Sequence, residues 1–303
     1  MKKKLAPLTF FFVVQLFQGR INGSNIDPVV TNSAMFTIGN LQAAALKIQG
    51  TSISGGNSTL IGANTNDYYS QGNLMLMSTN ILGKITLGGG LSISASSYNS
   101  VTRISSPLYG FKTMEQSLID TSSSIGQIIP NGTAALSPNE DILLTGTDNE
   151  LNVFQITNPN YYTSIQIDVP PKSTAIVNIM GEKLFLMQNN FNSLKNTTQN
   201  VDPSLVLFNF PQAKSITLNS GTISGTLLAP LAITSISTSK ITGGLITKNL
   251  IIKSSNLVGI GYKGYTEKPI HVPEPRSMIL TGISILTCIV IQALRFYQIC
   301  SMV

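Results

Sequence analysis

Tryptophan is absent, histidine occurs once (His271), cysteine occurs twice, and charged residues make up only 11% of the 303 residues. Each shortage closes off a class of chemistry. Both cysteines, Cys288 and Cys300, lie in the C-terminal tail, so no disulfide staples the body and no thiol nucleophile serves it. A zinc site needs several His or Cys ligands, which the body lacks. A Ser-His-Asp arrangement has only His271 to draw on. Low charge beside 42% apolar residues excludes an acidic or basic disordered chain. It also argues against long bundles and coiled coils, which are rich in Ala, Glu, Lys, Leu and Arg. What dominates instead is Ser, Thr, Asn, Gly and Ile, the residues of short strands and tight turns.

The formal charge of +6 sits at the ends of the chain. Lys2, Lys3, Lys4 and Arg20 crowd the N-terminus, and Arg276 and Arg295 flank a C-terminal apolar run. Without those six, thirteen basic residues face thirteen acids, so the composition makes no case for nucleic-acid binding. Residues 1–23 read as a signal peptide: three lysines, an apolar stretch from Leu5 to Phe17 that is too short to span a bilayer, then small residues. Residues 277–295 read as a transmembrane or sorting helix. Ser277 to Leu294 carry no charge, and such a run rises about 27 Å as a helix, close to the thickness of a hydrocarbon core. Residues 263–276 are a Pro-containing linker, 296–303 a short tail, and 24–262 the body. The predicted location of that body is outside the cytoplasm, on a membrane or envelope.

The linker holds Val272-Pro273-Glu274-Pro275 immediately before the apolar run, with Arg295 after it. That order resembles the PEP-CTERM sorting signal of exported bacterial proteins. The resemblance implies recognition by an exosortase-type processing enzyme, with Val272, Pro273, Glu274, Pro275 and Arg295 as the sorting signal. The family's arginine cluster is reduced here to one residue.

In the body, apolar-alternating pieces of three to six residues are punctuated by Gly and Asn, as in Gly55-Gly56-Asn57 and Gly88-Gly89-Gly90. These are strand and turn signals. Between Leu108 and Ile125, Phe111, Met114, Leu118 and Ile119 recur at helical spacing, which predicts one amphipathic helix. Asn189 to Asp202 is polar and reads as a loop. From Leu205 to Val258 very short strands recur every six to ten residues. That rhythm predicts a β-solenoid, each coil stacking inward Ile and Leu on the next. A β-sandwich is the alternative, but its strands are usually longer.

The body also resembles the choice-of-anchor A domain of bacterial surface proteins. The resemblance rests on Gly55-Gly56-Asn57, Gly72-Asn73-Leu74, Val177-Asn178-Ile179, the run Leu207-Phe208-Asn209-Phe210-Pro211-Gln212-Ala213, and Gly225-Thr226-Leu227-Leu228-Ala229-Pro230. It implies a right-handed parallel β-helix with one flanking α-helix, an adhesive role, no cofactor and no established catalytic residue.

Two acidic pairs, Glu140-Asp141 and Asp148 with Glu150, are the only material for a glycosidase or lyase. Asp and Asn are ordinary turn residues, so the turn reading of Asp148 and Glu150 comes first. Residues 203–266 carry Lys214, Lys240, Lys248, Lys253 and Lys263 and no acid. On stacked coils these lysines form a candidate surface-binding strip for an extracellular glycan or envelope component. The expected function is therefore non-catalytic: a rigid display of a Thr/Ser/Asn-rich face. A carbohydrate-active enzyme on the same scaffold is the alternative. Ice binding is a third reading, and no regular T-x-T pattern supports it.

Overall fold

The computed structural model describes residues 28–264, apart from 108, 137–140, 158–163, 188–189 and 194–200. Short strands pair in parallel along three faces. On face B the strands Lys183–Met187, Ser215–Asn219, Thr226–Ser237, Leu245–Lys253, Leu41–Ala44, Ser58–Ile61, Leu74–Met77 and Leu91–Ser94 stack in that spatial order. Partners there are 17, 16 and 17 residues apart in successive coils: Leu41 with Ser58, Ser58 with Leu74, Leu74 with Leu91. This is a solenoid. A sandwich would pair its neighbours antiparallel. Among the described residues the one antiparallel pair, Thr133–Leu136 with Asp141–Thr145, closes the end of face C.

The chain enters in the middle of its own stack. Met35–Thr37 pairs with Ser52–Ser54 on one side and with Leu245–Lys253 on the other. The first half then winds outward to Ser97–Arg103. The helix Phe111–Gly126 returns the chain along face A, and the second half winds back until its last coil abuts the first.

Inside, aliphatic rungs form continuous columns. Leu186, Leu218, Ile236, Ile252, Ala43, Leu60 and Leu76 follow one another across face B, all buried. Ile93 continues the column but is 40% exposed, because no coil covers the terminal rung. Buried hydroxyls in the core find one another across corners: Thr234 with Thr247 at 2.7 Å and Ser58 with Ser70 at 3.2 Å. That pairing avoids the cost of burying an unpartnered polar group.

The A–B corner explains the Gly-Asn repeats. The side-chain carbonyl of Asn249 accepts from the Asn40 amide, that of Asn40 from Asn57, that of Asn57 from Asn73, and that of Asn73 from Gly90, at 2.7–2.9 Å. This asparagine ladder locks the register and crosses the junction between last and first coils. Beside it run Gly39, Gly56, Gly72 and Gly89. A Cβ on Gly56 would sit 2.7 Å from the Gly39 carbonyl carbon, and one on Gly72 would meet Gly56 at the same distance.

Face A is buried on both sides, as in a helix-covered parallel sheet: Thr174–Ile179 and Val206–Asn209 are buried throughout. Outside it the helix packs on Phe36, Ile53, Ile246 and Leu228. Its first turn is seated by Phe111, whose ring stacks on Phe36 and Tyr69. A Cβ on Gly55 would lie 2.5 Å from that ring. Its last turns are held by the sheet. The Asn209 amide donates to the Ser122 carbonyl at 2.9 Å and the Asn178 amide to the Ile125 carbonyl at 3.0 Å. Asn209 also donates to the Asn178 side-chain oxygen at 2.8 Å, and the Ser122 hydroxyl donates back to Asn209. These bonds tie the last turns of the helix to the sheet; the Ile125 carbonyl also accepts from the Ile128 amide at 3.2 Å.

Several expectations need correcting. The helix begins at Phe111 rather than Leu108 and buries Leu118, Thr121, Ser122 and Ile125; Ile119 is only half-buried. Small hydroxyl residues on the contact stripe let it approach the sheet. Asn190–Ser193 is a strand, paired with Ser164–Asp168, inside the stretch expected to be loop. Thr226–Ser237 is one strand of twelve residues that turns a corner with a register shift after Ala229, not two short strands. The predicted signal peptide, the PEP linker (Val272, Pro273, Glu274, Pro275), the apolar run and Arg295 lie outside the described residues. Among the described residues no helix is long and apolar enough to cross a membrane.

Two stability outcomes follow from these contacts. Asn209→Ala leaves the Ser122 carbonyl and Asn178 without their buried partner, and it is expected to cost about 1–3 kcal/mol. For a chain of this size that is a fall in melting temperature of several degrees, roughly 2–4 °C per kcal/mol. Asn178→Ala added to it should cost less than the sum of the two single changes, read in a double-mutant cycle. Gly56→Ala places a methyl group against the neighbouring coil and is expected to lose about 1–3 kcal/mol in denaturant unfolding, whereas Ser92→Ala on the exposed terminal coil should change stability by less than about 0.5 kcal/mol.

Candidate functional site

With face A under the helix, faces B and C are the free surfaces of the described solenoid. On face B one outward column reads Phe185, Thr217, Ser235, Ile251, Gln42, Thr59, Met75 and Ser92 across eight paired strands. The next reads Asn219, Ser237, Lys253, Ala44, Ile61, Met77 and Ser94. At about 4.7–4.9 Å per strand the face extends roughly 33–34 Å. No acid lies in either column. Both ends of the face expose large apolar side chains among polar ones. Second-half coils present Thr217, Ser235, Ser237 and Asn219 together with the exposed Phe185 and Ile233, while first-half coils present Ile61, Met75 and Met77, each about 40% exposed.

Between faces B and C each of the seven described corners turns through one residue with positive φ. Ser220, Thr238, Ser254, Ala45, Gly62, Ser78 and Ala95 have φ between 47° and 59°. Only one of them is glycine, the residue that adopts this region most cheaply. A groove of about 640 Å³ runs along this corner, lined among others by Ser220, Thr238, Ser254, Lys240 and Asn256.

The five strip lysines stand in different settings. Lys214 pairs with Glu182 at 2.8 Å, and its ammonium holds that carboxyl below the usual range; both groups are exposed, so the pair adds little stability. Lys248 pairs with Glu115 on the helix at 3.2 Å. Lys263 is exposed, and its backbone amide donates to the Ser204 carbonyl at 2.8 Å. Lys240 and Lys253 remain, on opposite sides of the B–C groove. The first coil brings a third cation beside them: Asn256 pairs with Lys240 on one side and with Lys47 on the other. Sequence reading omitted Lys47 because it lies some 190 residues from Lys240, and only the closure of the stack reveals the proximity.

Of the acidic candidates, Asp148 and Glu150 lie in the turn before Leu151–Ile156, and Asp141 begins the strand Asp141–Thr145. One Asp148 carboxylate oxygen accepts from the backbone amides of Glu150 at 2.7 Å and Leu151 at 3.1 Å, and those bonds hold its carboxyl below the ordinary aspartate value. Asn152 closes the same turn by accepting from the Asp148 amide at 3.0 Å. Asp141 accepts from the Ser164 hydroxyl at 2.6 Å, and Glu140 is outside the described residues. Among the described residues no group of three or more His, Cys, Asp or Glu converges as a metal site would require.

Solved structures similar to this chain include an ice-binding protein from an Antarctic biological consortium, 11% identical, with a TM-score of 0.43 over 78% of this chain and 90% of that one. Another is an ice-binding protein from the Antarctic ascomycete Antarctomyces psychrotrophicus, at 12% identity and a TM-score of 0.34 over 77% and 98%. A third is a glycosylated ice-binding protein from an Arctic yeast, at 9% and 0.34 over 80% and 96%. No curated protein matches the chain. A family model described as "Putative Ice-binding-like adhesive domain" matches residues 12–257. The chain therefore belongs to the ice-binding-like adhesive domain family.

Proposed function

We propose that this protein is an exported, membrane- or envelope-anchored surface protein that adheres through face B and catalyses nothing. The observation that carries the reading is the unbroken parallel face itself: eight strands in register, free of acids and left open by the helix. Membership of an adhesive-domain family supports it. A stack whose backbone is fixed by ladders on both sides spends little entropy on binding, so many weak contacts can add up. The N-terminal basic-apolar segment and the apolar run before Arg295 are the features that support export and anchoring. An exosortase-type enzyme acting at Pro273-Glu274-Pro275 belongs to the same proposal.

Ice is a narrower version of the same reading. The outward column holds Thr59, Thr217 and Ser235, but Phe185, Ile251, Gln42 and Met75 interrupt it. A mixed face of this kind favours adhesion to a cell or solid surface over templating of a lattice.

Adsorption of the full chain to isolated cell envelopes and to hydrated silica tests the face. Ser235→Glu and Thr59→Glu each bury a charge at the contact and are expected to lower adsorption at least tenfold, whereas Gln49→Glu on face C should leave it unchanged. Equal losses on both faces would overturn the assignment. Thermal hysteresis at the level of an ice-binding protein, abolished by Thr217→Lys, would transfer the target to ice. Asp148→Asn with Glu150→Gln is expected to release no change in polysaccharide turnover, since neither carboxyl faces a substrate cleft. With its pKa lowered in the fold, the Asp148 turn contributes stability above the unfolded value of about 3.9, and that contribution is lost as pH falls through the lower folded value. The Asn variant should therefore fall below wild type in stability at pH 7, by a difference that narrows as the pH is lowered below the unfolded value.

A further inference from the structure

We propose that the B–C corner groove binds an extended anionic glycan, a uronate-type chain lying along the solenoid axis. The proposal concerns a different surface from face B and does not depend on it. Four consecutive coils build the groove, and each supplies the same three parts. On the floor are the positive-φ residues Ser220, Thr238, Ser254 and Ala45. Lys240 and Asn256 line its face-C side; Lys47, in the strand beyond Asn256, and Lys253, which precedes Ser254 on face B, flank the lining in register.

Charge is the first argument. Lys47, Lys240 and Lys253 are exposed and form no ion pair among the described residues. Residues 203–264 contain no acid to neutralise them. Lys240 and Lys47 stand two strands apart, about 9–10 Å at the ordinary spacing. They are too far apart to converge on a single small anion, but they are placed to meet successive charges of a polymer.

Hydroxyl placement is the second. Ser220, Thr238 and Ser254 are exposed, and their side chains have no hydrogen-bond partner among the described residues. Glycine would adopt the same backbone without cost, and β-branched threonine is the least suited of all. Yet hydroxyl-bearing residues occupy three of the four coils of the groove, with Ala45 in the fourth, whereas of Gly62, Ser78 and Ala95 beyond it only Ser78 carries a hydroxyl. Strained positions of this kind mark sites where the side chain is wanted. A hydroxyl every strand offers donors and acceptors at a polymer's repeat.

The absence of aromatic side chains from the groove lining decides between polyanions. Single-stranded nucleic acid is held by stacking its bases on aromatic rings, and nothing here supplies that. A glycan needs only cations and hydroxyls.

Isothermal titration of the full chain with polygalacturonate oligosaccharides tests the proposal. Binding is expected, weakening steeply as salt rises, because exposed charges are screened within about 10 Å at 0.1 M. The Lys240→Ala, Lys47→Ala double variant should weaken it at least tenfold at unchanged melting temperature. Thr238→Gly should weaken it several-fold while leaving the fold as stable or more so. Ser235→Glu on face B should leave it intact, so failure of the adhesive face and failure of this groove are read separately. Equal affinity for the fully methyl-esterified oligosaccharide, equal affinity in the double-lysine variant, or tighter binding of single-stranded DNA would each overturn the proposal.

Discussion

Three residues of the first coil, Met35, Phe36 and Thr37, hydrogen-bond on one side to Ser52–Ser54 and on the other to residues 245–247 of the last coil. The rest of the molecule depends on this double pairing. The same junction continues through residues 250–253 on Leu41–Ala44 and Asn256–Val258 on Lys47–Gln49; without it the chain would form two separate stacks with exposed parallel edges, and such edges invite pairing with other chains. With it, the inner rungs pass without interruption from Ile252 to Ala43 to Leu60. The asparagine ladder passes from Asn249 to Asn40 to Asn57. The cost is kinetic. Residues some 210 positions apart must meet before the central coil is covered on both sides, and contacts of that sequence separation slow folding.

The helix settles the second constraint. A solenoid built this way has to carry the chain from one end of the stack to the other, and the connecting segment must lie on some face. Phe111–Gly126 takes face A, where Phe36, Ile53, Ile246 and Leu228 would otherwise be exposed. It binds one half of the stack through Phe111 and the other through Asn178 and Asn209. The helix therefore acts as a brace across the closing junction as well as a lid. Its position leaves faces B and C open to contact.

Much of this was legible in the sequence, and the limits are physical. Short strands, a solenoid rhythm and one helix are local patterns, and each was readable from residue spacing. Gly55-Gly56-Asn57 was readable as a turn and Gly72-Asn73 only as part of a family resemblance; that their amides form one corner ladder requires the stacking of the coils. Asn178 and Asn209 stood out only as parts of a family resemblance; their role as a seat for the helix requires knowing which face it covers. The order of the coils was illegible, since a parallel ladder looks the same whichever coil comes next. That is why Lys47 was missed while Lys214 and Lys248, which have acidic partners, were grouped with Lys240 and Lys253. Asn190–Ser193 escaped for a related reason: a polar strand, Asn-Phe-Asn-Ser, carries no alternation of its own and is recruited by the neighbours it pairs with.

The two candidate surfaces obey different physics although they share an edge. Face B carries little charge, so contact there has to come from desolvating aliphatic and hydroxyl groups, a short-range effect that salt leaves largely untouched or strengthens. The corner groove is cationic and exposed, so its attraction reaches about a Debye length and fades as salt rises. Lys253 stands on the common rim, with Ser237 beside it on face B and the Ser254 turn leading into the groove. A charge change there perturbs both surfaces at once, while Lys47 and Lys240 on the far rim belong to the groove alone. Ionic strength therefore separates the two without any substitution: adhesion that survives high salt belongs to the flat face, and adhesion that salt abolishes belongs to the corner.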